Sequence, residues 1–229
     1  MKVLIIEDDR RMVEIISLIF HIRWPDAILI STHLGEQGIE MVEKEAPNIV
    51  ILDLGLPDIN GFEVLKSIRL FSSVPIIILT VRGDETDIVM GLELGADEYM
   101  VKPFRQSEFL ARVKAILRRI NLMDDMEPVV VGPLYLRPSM SKLIYGNKAI
   151  SITRTECIII YHLMRNVGTV VTYSKLSEIM WGDDYLGATE SLRVHIHRLR
   201  QKIEKDIANP QIIHTKIGIG YYLTEPSSE

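Results

Sequence analysis

The stretch IVILDLGLPDINGFEVL, residues 49–65, predicts how the first half of this chain folds. It begins with four apolar residues, which are typical of a short strand that is buried on both faces. Asp53 follows directly, and the glycine, proline and asparagine residues after it predict a tight loop. The stretch then enters an amphipathic helix, so it contains one strand, one loop and one helix of a parallel α/β sheet.

Five strand–helix pairs of this kind run through the first 121 residues. The strands are VLII, AILIS, IVIL, PIIIL and EYMV, and an amphipathic helical segment follows each of them. With right-handed crossovers, this order predicts a doubly wound, five-stranded parallel sheet of the flavodoxin-like kind, with helices on both faces. Such sheets bind ligands at the carboxyl ends of their strands, which is where Asp53 is expected.

The segment NLMDDMEP interrupts this rhythm and predicts a linker at residues 122–128. The predicted domains are therefore residues 1–121 and residues 129–229. The second domain opens with β-like segments, continues through three helical segments and closes on QIIHTKIGIGYYLT, whose glycines suit a hairpin turn. This order predicts an α+β domain, a helix-turn-helix with a β-hairpin wing.

Composition limits the classes of protein to which the chain can belong. The net charge of −5 comes from the first domain, because acidic and basic residues balance in the second. Within the second domain, however, the segment SLRVHIHRLRQKIEK is strongly basic. No apolar run approaches a membrane span and the first residues lack a secretory pattern, so we expect a cytoplasmic protein without a membrane partner. The single cysteine excludes an intramolecular disulfide and a zinc–cysteine cluster.

Chemically active side chains follow four of the five predicted strands. They are Glu7, Asp8 and Asp9 after the first strand, Asp53 after the third, Thr80 at the end of the fourth and Lys102 after the fifth. Strand ends meet at one edge of a parallel sheet, where several carboxylates repel one another unless a cation such as Mg²⁺ binds. Because Thr80 and Lys102 suit a phosphoryl group, Asp53 is predicted to be a nucleophile that forms an acyl phosphate. Capping of the first helix by Asp8 and Asp9 is the simpler reading of that pair alone.

The segments LIIEDD, DLGLPDINGFEVL, ILTVR and DEYMVKPF resemble the receiver domain of two-component response regulators over about residues 2–121. The resemblance implies that a sensor histidine kinase phosphorylates Asp53. It implies that Mg²⁺ is bound by Glu7, Asp8, Asp53 and the carbonyl of Gly55. It also implies that three switch residues respond to the phosphate: Thr80 moves to it, Tyr99 rotates inward and Lys102 pairs with it.

The same resemblance implies a homodimer that forms on activation, through the face of the fourth helix, the fifth strand and the fifth helix. The residues expected at this interface are Asp97, Glu98, Glu108, Arg112 and Arg118. Ile88 stands where the family often has a basic residue that pairs with the acid at Glu108. The interface is therefore expected to be weaker or more apolar than is usual in the family.

The basic helix of the second domain has two distinct faces. Leu192, Ile196, Leu199 and Ile203 form one apolar stripe, which is expected to pack inward. The opposite face is predicted to read base edges in a major groove, while the flanking cations contact phosphates. A basic helix alone is more often a solvated face, but the hairpin that follows favours nucleic acid. The predicted DNA-contacting residues of this helix are Arg193, Val194, His195, His197, Arg198, Arg200 and Lys202.

The segments SITRTECIIIYHL, WGDDYLGATESLRVHIHRLRQKIEK and IIHTKIGIGYYL resemble the winged-helix effector domain of the OmpR/PhoB type over about residues 129–225. The resemblance implies a four-stranded sheet first, a recognition helix from about Thr189 and a wing whose DNA-contacting residues include Thr215, Lys216 and Tyr221. Family wings commonly carry an arginine where this chain has Ile217, so Lys216 is expected to contact phosphate only.

The function predicted from the sequence is that of a phosphorylation-activated, sequence-specific transcription regulator, not an enzyme, that binds direct-repeat promoter DNA as a dimer. RNA polymerase is a further candidate partner. Two alternatives remain open. One is an aspartyl-phosphate phosphohydrolase, although such enzymes typically carry a second aspartate where this chain has Gly55. The other is a regulator that binds DNA without phosphate, against which the complete acid cluster argues.

Overall fold

The structure is a computed structural model that describes residues 1–182 and 188–226, without the side chains of residues 124 and 188. The predicted end of the second domain at residue 229 lies outside the described residues. The chain divides into two compact units, residues 1–113 and residues 114–229.

The first unit is a five-stranded parallel sheet with the strand order β2-β1-β3-β4-β5. Its strands are β1 (Lys2–Ile6), β2 (Ile28–Thr32), β3 (Ile49–Leu52), β4 (Ile76–Thr80) and β5 (Glu98–Val101). The helices are α1 (Arg10–Arg23), α2 (Gly35–Glu45), α3 (Gly61–Phe71), α4 (Glu85–Leu94) and α5 (Gln106–Asp124), of which α5 continues into the second unit. The predicted doubly wound sheet is confirmed.

The core of the first unit is its set of central strands. Every residue of β3 and β4 is buried, because helices cover both faces of a doubly wound sheet and leave no polar face. The register pairs Ile6 of β1 with Leu52 of β3, and Leu52 with Ile78 of β4. The three strands consequently end side by side, and the residues that follow them share one edge of the sheet.

The second unit contains two antiparallel sheets. The first has the order β6-β7-β8-β9 and consists of β6 (Val129–Val131), β7 (Leu134–Arg137), β8 (Lys142–Tyr145) and β9 (Lys148–Ser151). The second has the order β10-β12-β11 and consists of β10 (Val171–Thr172), β11 (Ile213–Lys216) and β12 (Gly220–Leu223). The predicted four-stranded sheet and terminal hairpin are both confirmed, and β10 adds a strand to the hairpin that the sequence did not predict.

Three helices lie between β9 and β11 along the chain, and β10 separates the first of them from the other two. They are α6 (Arg154–Arg165), α7 (Tyr173–Trp181) and α8 (Ala188–Ile203). Thr153 and Glu156 begin α6 with a capping box, in which each side chain accepts the other residue's backbone N–H. The inward stripe of α8 is buried as predicted and joins the hydrophobic core that α6 and α7 also line.

Helix α5 extends further than the sequence indicated. It continues to Asp124, inside the predicted linker at residues 122–128, and the two compact units divide within it rather than at residue 121. Its later residues Ala115 and Met123 belong to the hydrophobic core of the second unit. That burial supports helix through a polar segment, where local composition alone predicted a break.

None of the described helices combines the length and the apolar character that crossing a bilayer requires.

Candidate functional site

Three carboxylates meet at the carboxyl edge of the parallel sheet. Glu7 and Asp8 follow β1, Asp53 follows β3, and one oxygen from each lies within 4.8 Å of the others. Glu7 and Asp53 are buried, whereas Asp8 is exposed to solvent. The structure thus brings together the predicted acid cluster, and its oxygen donors are of the type that Mg²⁺ prefers.

Lys102 is the counter-charge of this cluster. Its Nζ donates to Glu7 Oε1 at 2.8 Å and Oε2 at 2.7 Å, and to Asp53 Oδ2 at 2.9 Å. The peptide bond between Lys102 and Pro103 is cis. The lysine from the end of β5 therefore bridges the carboxylates that follow β1 and β3.

The carboxylate of Asp53 is fixed from several sides. Its Oδ1 accepts the backbone N–H of Leu54 at 2.6 Å and that of Gly55 at 3.3 Å. Thr80, which is fully buried at the end of β4, lies beside this carboxylate and helps to lower its pKa. Gly61 closes the loop so tightly that a Cβ there would lie 2.4 Å from the carbonyl oxygen of Asp53. The loop thus needs glycine at this position.

The shared lysine affects the two buried carboxyls differently. Burial raises the pKa of Glu7 to about 7, although the hydrogen bond and charge of Lys102 oppose the rise. Burial also acts to raise the pKa of Asp53, but Lys102, Thr80 and the N–H of Gly55 outweigh it and hold the pKa below its ordinary value. Asp53 is therefore ionised at neutral pH, as a carboxylate nucleophile must be.

Gly55 and Tyr99 take up positions that the family resemblance only partly anticipated. A Cβ on Gly55 would lie 3.8 Å from Asp53 Oδ2, so the residue borders the acid cluster. Tyr99 is already buried, and its hydroxyl donates to the carbonyl of Arg82 at 2.9 Å. Burial, followed by the charge of Asp87, raises the pKa of Tyr99 to about 12. Tyr99 therefore lies in the inward position in this structure.

The predicted dimer face is smaller than expected, because two of its acids point into the first unit. Asp97 is buried and accepts the backbone N–H of Ile76 and the guanidinium of Arg69. Glu98 is buried and pairs with Arg112 at 3.2 Å. Asp97 and Glu98 are therefore corrections to the predicted interface set.

The remaining predicted interface residues divide between surface and internal contacts. Arg112 also pairs with the exposed carboxylate of Glu108 at 2.7 Å, and this pair is accessible on α5. Arg118 instead donates to the carbonyls of Glu178 and Ile179 at the end of α7, at 2.9 and 3.1 Å. These hydrogen bonds lie within the second unit, and Arg118 is still exposed, so its place in the dimer face stays a prediction.

The exposed face of α8 is the candidate nucleic-acid surface. Arg193, His197 and Gln201 are exposed, Val194 is half-buried beside them, and Glu190 pairs with Arg193 at 3.1 Å. These side chains differ in chemistry, as base recognition requires. The prediction that this face of α8 is exposed while the apolar stripe opposite it packs inward is confirmed.

Two residues of the predicted DNA-contacting set are buried instead, namely His195 and Arg198. The ring of His195 stacks on Trp181 with 6.4 Å between centroids, and burial, together with nearby cations, holds its pKa well below the usual value. Arg198 Nη2 lies 3.1 Å from Oε1 of the fully buried Glu156 of α6. The buried stripe of α8 is wider than the apolar stripe because an acid on α6 attracts a cation inward.

Glu156 also holds Lys202, whose Nζ donates to its Oε2 at 2.6 Å. Burial acts to raise the pKa of Glu156, but the charges of Arg198 and Lys202 outweigh it and lower the pKa. Sequence reasoning missed this carboxylate as a functional residue. The pattern Thr153-x-x-Glu156 was a signal for a helix cap, but nothing local to it indicates a partner on α8.

The wing is joined to α8 by Arg200. Its guanidinium donates to the carbonyl of Ile213 at 2.8 and 3.0 Å and to Oγ1 of Thr215 at 2.9 Å. Tyr221, predicted to contact DNA, is buried with its ring 5.3 Å from that of Tyr173. Its position on β12 faces the core, which corrects that prediction.

The exposed residues of the wing are those of β11 and the loop after it. Thr215 and Lys216 are exposed, as their predicted role requires. Lys216 is therefore an exposed cation directly after Thr215, the residue to which Arg200 of α8 donates.

Comparisons with known proteins agree with both halves of this description. A family model described as "Response regulator receiver domain" matches residues 3–114, and one described as "Transcriptional regulatory protein, C terminal" matches residues 147–223. The sensory transduction protein RegX3 of Mycolicibacterium smegmatis is 37% identical over 226 residues, which cover 97% of this chain and 98% of RegX3. The DNA-binding response regulator MtrA of the same organism is 36% identical over 98% of this chain and 97% of MtrA.

Solved structures show the same relationship. The response regulator DrrB of Thermotoga maritima, an OmpR/PhoB homolog, is 30% identical over 97% of this chain and 98% of DrrB, with a TM-score of 0.51. A mutant of RitR covers 98% of this chain and 99% of its own, with a TM-score of 0.83 and 22% identity, which is a similarity of fold.

Proposed function

Because this chain belongs to the response regulators of the OmpR/PhoB type, we propose that Asp53 accepts a phosphoryl group from a sensor histidine kinase and thereby controls promoter binding. One observation carries this proposal: Asp53 is an ionised carboxylate at a strand end, in contact with Lys102 and beside the Thr80 hydroxyl. These are a nucleophile, a cation and a hydroxyl donor in the arrangement that phosphoryl transfer needs.

The acid cluster fits a magnesium ion. Glu7, Asp8 and Asp53 would hold it together with the backbone carbonyl of Gly55, a residue that borders the same cluster. When bound, Mg²⁺ neutralises charge on the transferring phosphoryl oxygens. Lys102 donates its hydrogen bonds to Glu7 and Asp53 in this structure. After phosphorylation of Asp53, it would instead donate to the phosphoryl oxygens.

The switch would run from Asp53 through Thr80 to the face of α4, β5 and α5. A phosphoryl group brings close to two negative charges at neutral pH, and the Thr80 hydroxyl beside Asp53 is a donor that can move towards them. Movement of Thr80 changes the neighbours of β5, where Tyr99 fixes its hydroxyl on Arg82. Homodimerisation on activation would then use the accessible pair Glu108 and Arg112 of α5.

DNA binding would use the exposed face of α8 together with the wing. Arg193, His197 and Gln201 would meet base edges in a major groove, with Val194 positioned for a thymine methyl group. Lys216 would contact a phosphate. Two copies in a dimer would read direct repeats, and RNA polymerase is a candidate partner of the bound dimer.

Two observations favour a regulator over the alternatives. A hydrolase of aspartyl phosphate would need a general acid close to Asp53, and the residue two positions later is Gly55. A regulator that works without phosphate would not need a lysine in contact with Asp53 and a hydroxyl beside it. We therefore propose that the chain is not an enzyme with turnover.

Labelling by acetyl phosphate with Mg²⁺ tests this assignment, with phosphate-affinity electrophoresis and mass spectrometry as readouts. We expect one Mg²⁺-dependent phosphoryl group on the wild type, none on Asp53→Asn, and unchanged labelling of Asp84→Asn, which alters an exposed acid elsewhere. Continuous release of inorganic phosphate with rapid turnover would support the hydrolase instead. Absence of any label on the wild type would contradict phosphorylation of Asp53.

A further inference from the structure

The loop of the terminal hairpin presents two large apolar side chains to solvent. β11 and β12 are joined by Ile217, Gly218 and Ile219. Ile217 is 91% exposed and Ile219 is 47% exposed. Burying an isoleucine side chain that is so exposed to water is favourable, so a partner that covers Ile217 would bind more tightly than one that leaves it exposed.

The hairpin holds Ile217 in a fixed direction relative to α8. Arg200 of α8 binds the first strand of the hairpin through the hydrogen bonds described above. On the other strand, Gly220 approaches β10 so closely that a Cβ would lie 2.1 Å from a carbonyl oxygen of Val171. The carbonyl of Ile219 accepts the N–H of Tyr173 at 2.9 Å. A residue at this loop therefore keeps its position when α8 docks.

The charges around Ile217 suit DNA. Residues 211–223 contain no aspartate or glutamate, and the exposed Lys216 directly precedes Ile217 in the chain. Gly218 adopts a φ of 75°, and no described atom lies within 4 Å of a Cβ built on it. The loop is thus an uncovered apolar projection beside a cation that attracts phosphate.

We propose that Ile217 enters the minor groove beside the major-groove site of α8 and partly unstacks one base step there. The proposal rests on the function proposed above and deepens it by assigning a residue that selects DNA. Apolar side chains, isoleucine among them, act as such wedges in proteins that bind the minor groove. The consequence is a preference for an easily deformed pyrimidine–purine step beneath the wing, without a contribution to the salt dependence of binding.

The experiment uses the full chain with acetyl phosphate and Mg²⁺. The probe is a duplex that the wild-type protein selects from a random-sequence library, with 2-aminopurine placed in turn at each step that flanks the protected site. Its fluorescence rises when a base unstacks. The variants are Ile217→Ser, Ile217→Val and Ile217→Arg, and Val130→Ser is the control because Val130 is a 66% exposed β-branched residue in the other sheet.

We expect the fluorescence rise at one step for the wild type, Ile217→Val and Val130→Ser, and its loss for Ile217→Ser. Ile217→Ser should bind the selected duplex roughly tenfold to hundredfold more weakly, as expected for an isoleucine that leaves its buried site. Its salt slope should not change, whereas Ile217→Arg should steepen the slope by about one unit.

A rise that persists in Ile217→Ser, or no rise at any step, would overturn the wedge. Unchanged DNA binding by Ile217→Ser with impaired transcription in vitro would also overturn it, since Ile217 would then contact protein. A wild-type protein that selects no duplex would contradict the proposed function itself.

Discussion

Replacement of Glu156 with glutamine tests whether one buried carboxylate holds α8 in place. Glu156 is fully buried on α6 and contacts two cations of α8, Arg198 at 3.1 Å and Lys202 at 2.6 Å. Its Oε2 also accepts the backbone N–H of Thr153 at 2.7 Å. Glutamine keeps the shape and this capping contact but removes the negative charge that both cations face.

The expected cost follows from the burial of the two cations. The Arg198 side chain is 6% exposed and keeps its charge at all accessible pH values, so it would be left buried without a countercharge. Breaking a buried pair in this way costs about 3–5 kcal/mol in the free energy of unfolding. The Lys202 side chain is 27% exposed and can turn to water, so Lys202→Met should cost less, about 1–2 kcal/mol.

The assay is urea unfolding of the full chain in a Trp24→Phe background. Trp181 is then the one remaining tryptophan, and its fluorescence follows the second unit. Glu178→Gln is the matched control, because it removes the same charge from an exposed pair with Lys175 and should change stability by less than about 0.5 kcal/mol.

A double variant separates an unpaired charge from a general loss of packing. Arg198→Met in the Glu156→Gln background removes the unpaired cation and should recover part of the lost stability. The reasoning is refuted if Glu156→Gln unfolds at the same urea concentration as Glu178→Gln, or if the double variant is less stable than Glu156→Gln alone.

The remaining predictions concern the pH dependence of stability, the salt dependence of DNA binding and the close backbone contact between Gly220 and Val171. Because burial and nearby cations hold the pKa of His195 well below 6.5, the unfolded chain binds a proton that the folded chain does not. The second unit should therefore lose about 1.4 kcal/mol per pH unit below about pH 6.5, a slope that His195→Leu should remove in urea titrations at several pH values. In DNA titrations at several salt concentrations, Lys216→Met should reduce the salt slope by about one unit and Lys202→Met should leave it unchanged. Gly220→Ala should destabilise the second unit by about 1–3 kcal/mol in urea, because its Cβ would overlap the carbonyl of Val171.

The parallel sheet and its acid cluster were predictable because both depend on short-range signals. Continuous apolar runs between amphipathic helices indicate a buried parallel sheet, and strand ends in such a sheet share one edge. Asp53 and Lys102 are 49 positions apart, yet each directly follows its own strand, so the topology alone brings them together. The positions of residues that directly follow a strand can therefore be predicted without knowledge of side-chain packing.

The orientation of charged side chains was less predictable. Arg198 and His195 lie beside the apolar stripe of α8, and the helical wheel alone cannot show whether a neighbouring element buries them. A carboxylate on α6 decided the position of Arg198, and Trp181 of α7 stacks on His195. The burial of Asp97 likewise depends on Arg69 of α3, a partner that is distant in sequence. Each of these errors arises from a tertiary contact of a polar group.

The most direct test of whether phosphorylation of Asp53 controls DNA binding is the affinity of the full chain for its selected duplex. It is measured by fluorescence anisotropy with Mg²⁺, before and after treatment with acetyl phosphate. We predict that treatment raises the affinity of the wild type by about 5-fold to 150-fold, the usual range of coupling between two sites. We predict no change for Asp53→Asn, and no change for the wild type when a chelator removes the metal. Equal affinity of the treated and untreated wild-type protein, at confirmed phosphorylation of Asp53, would contradict control of DNA binding by this phosphoryl group.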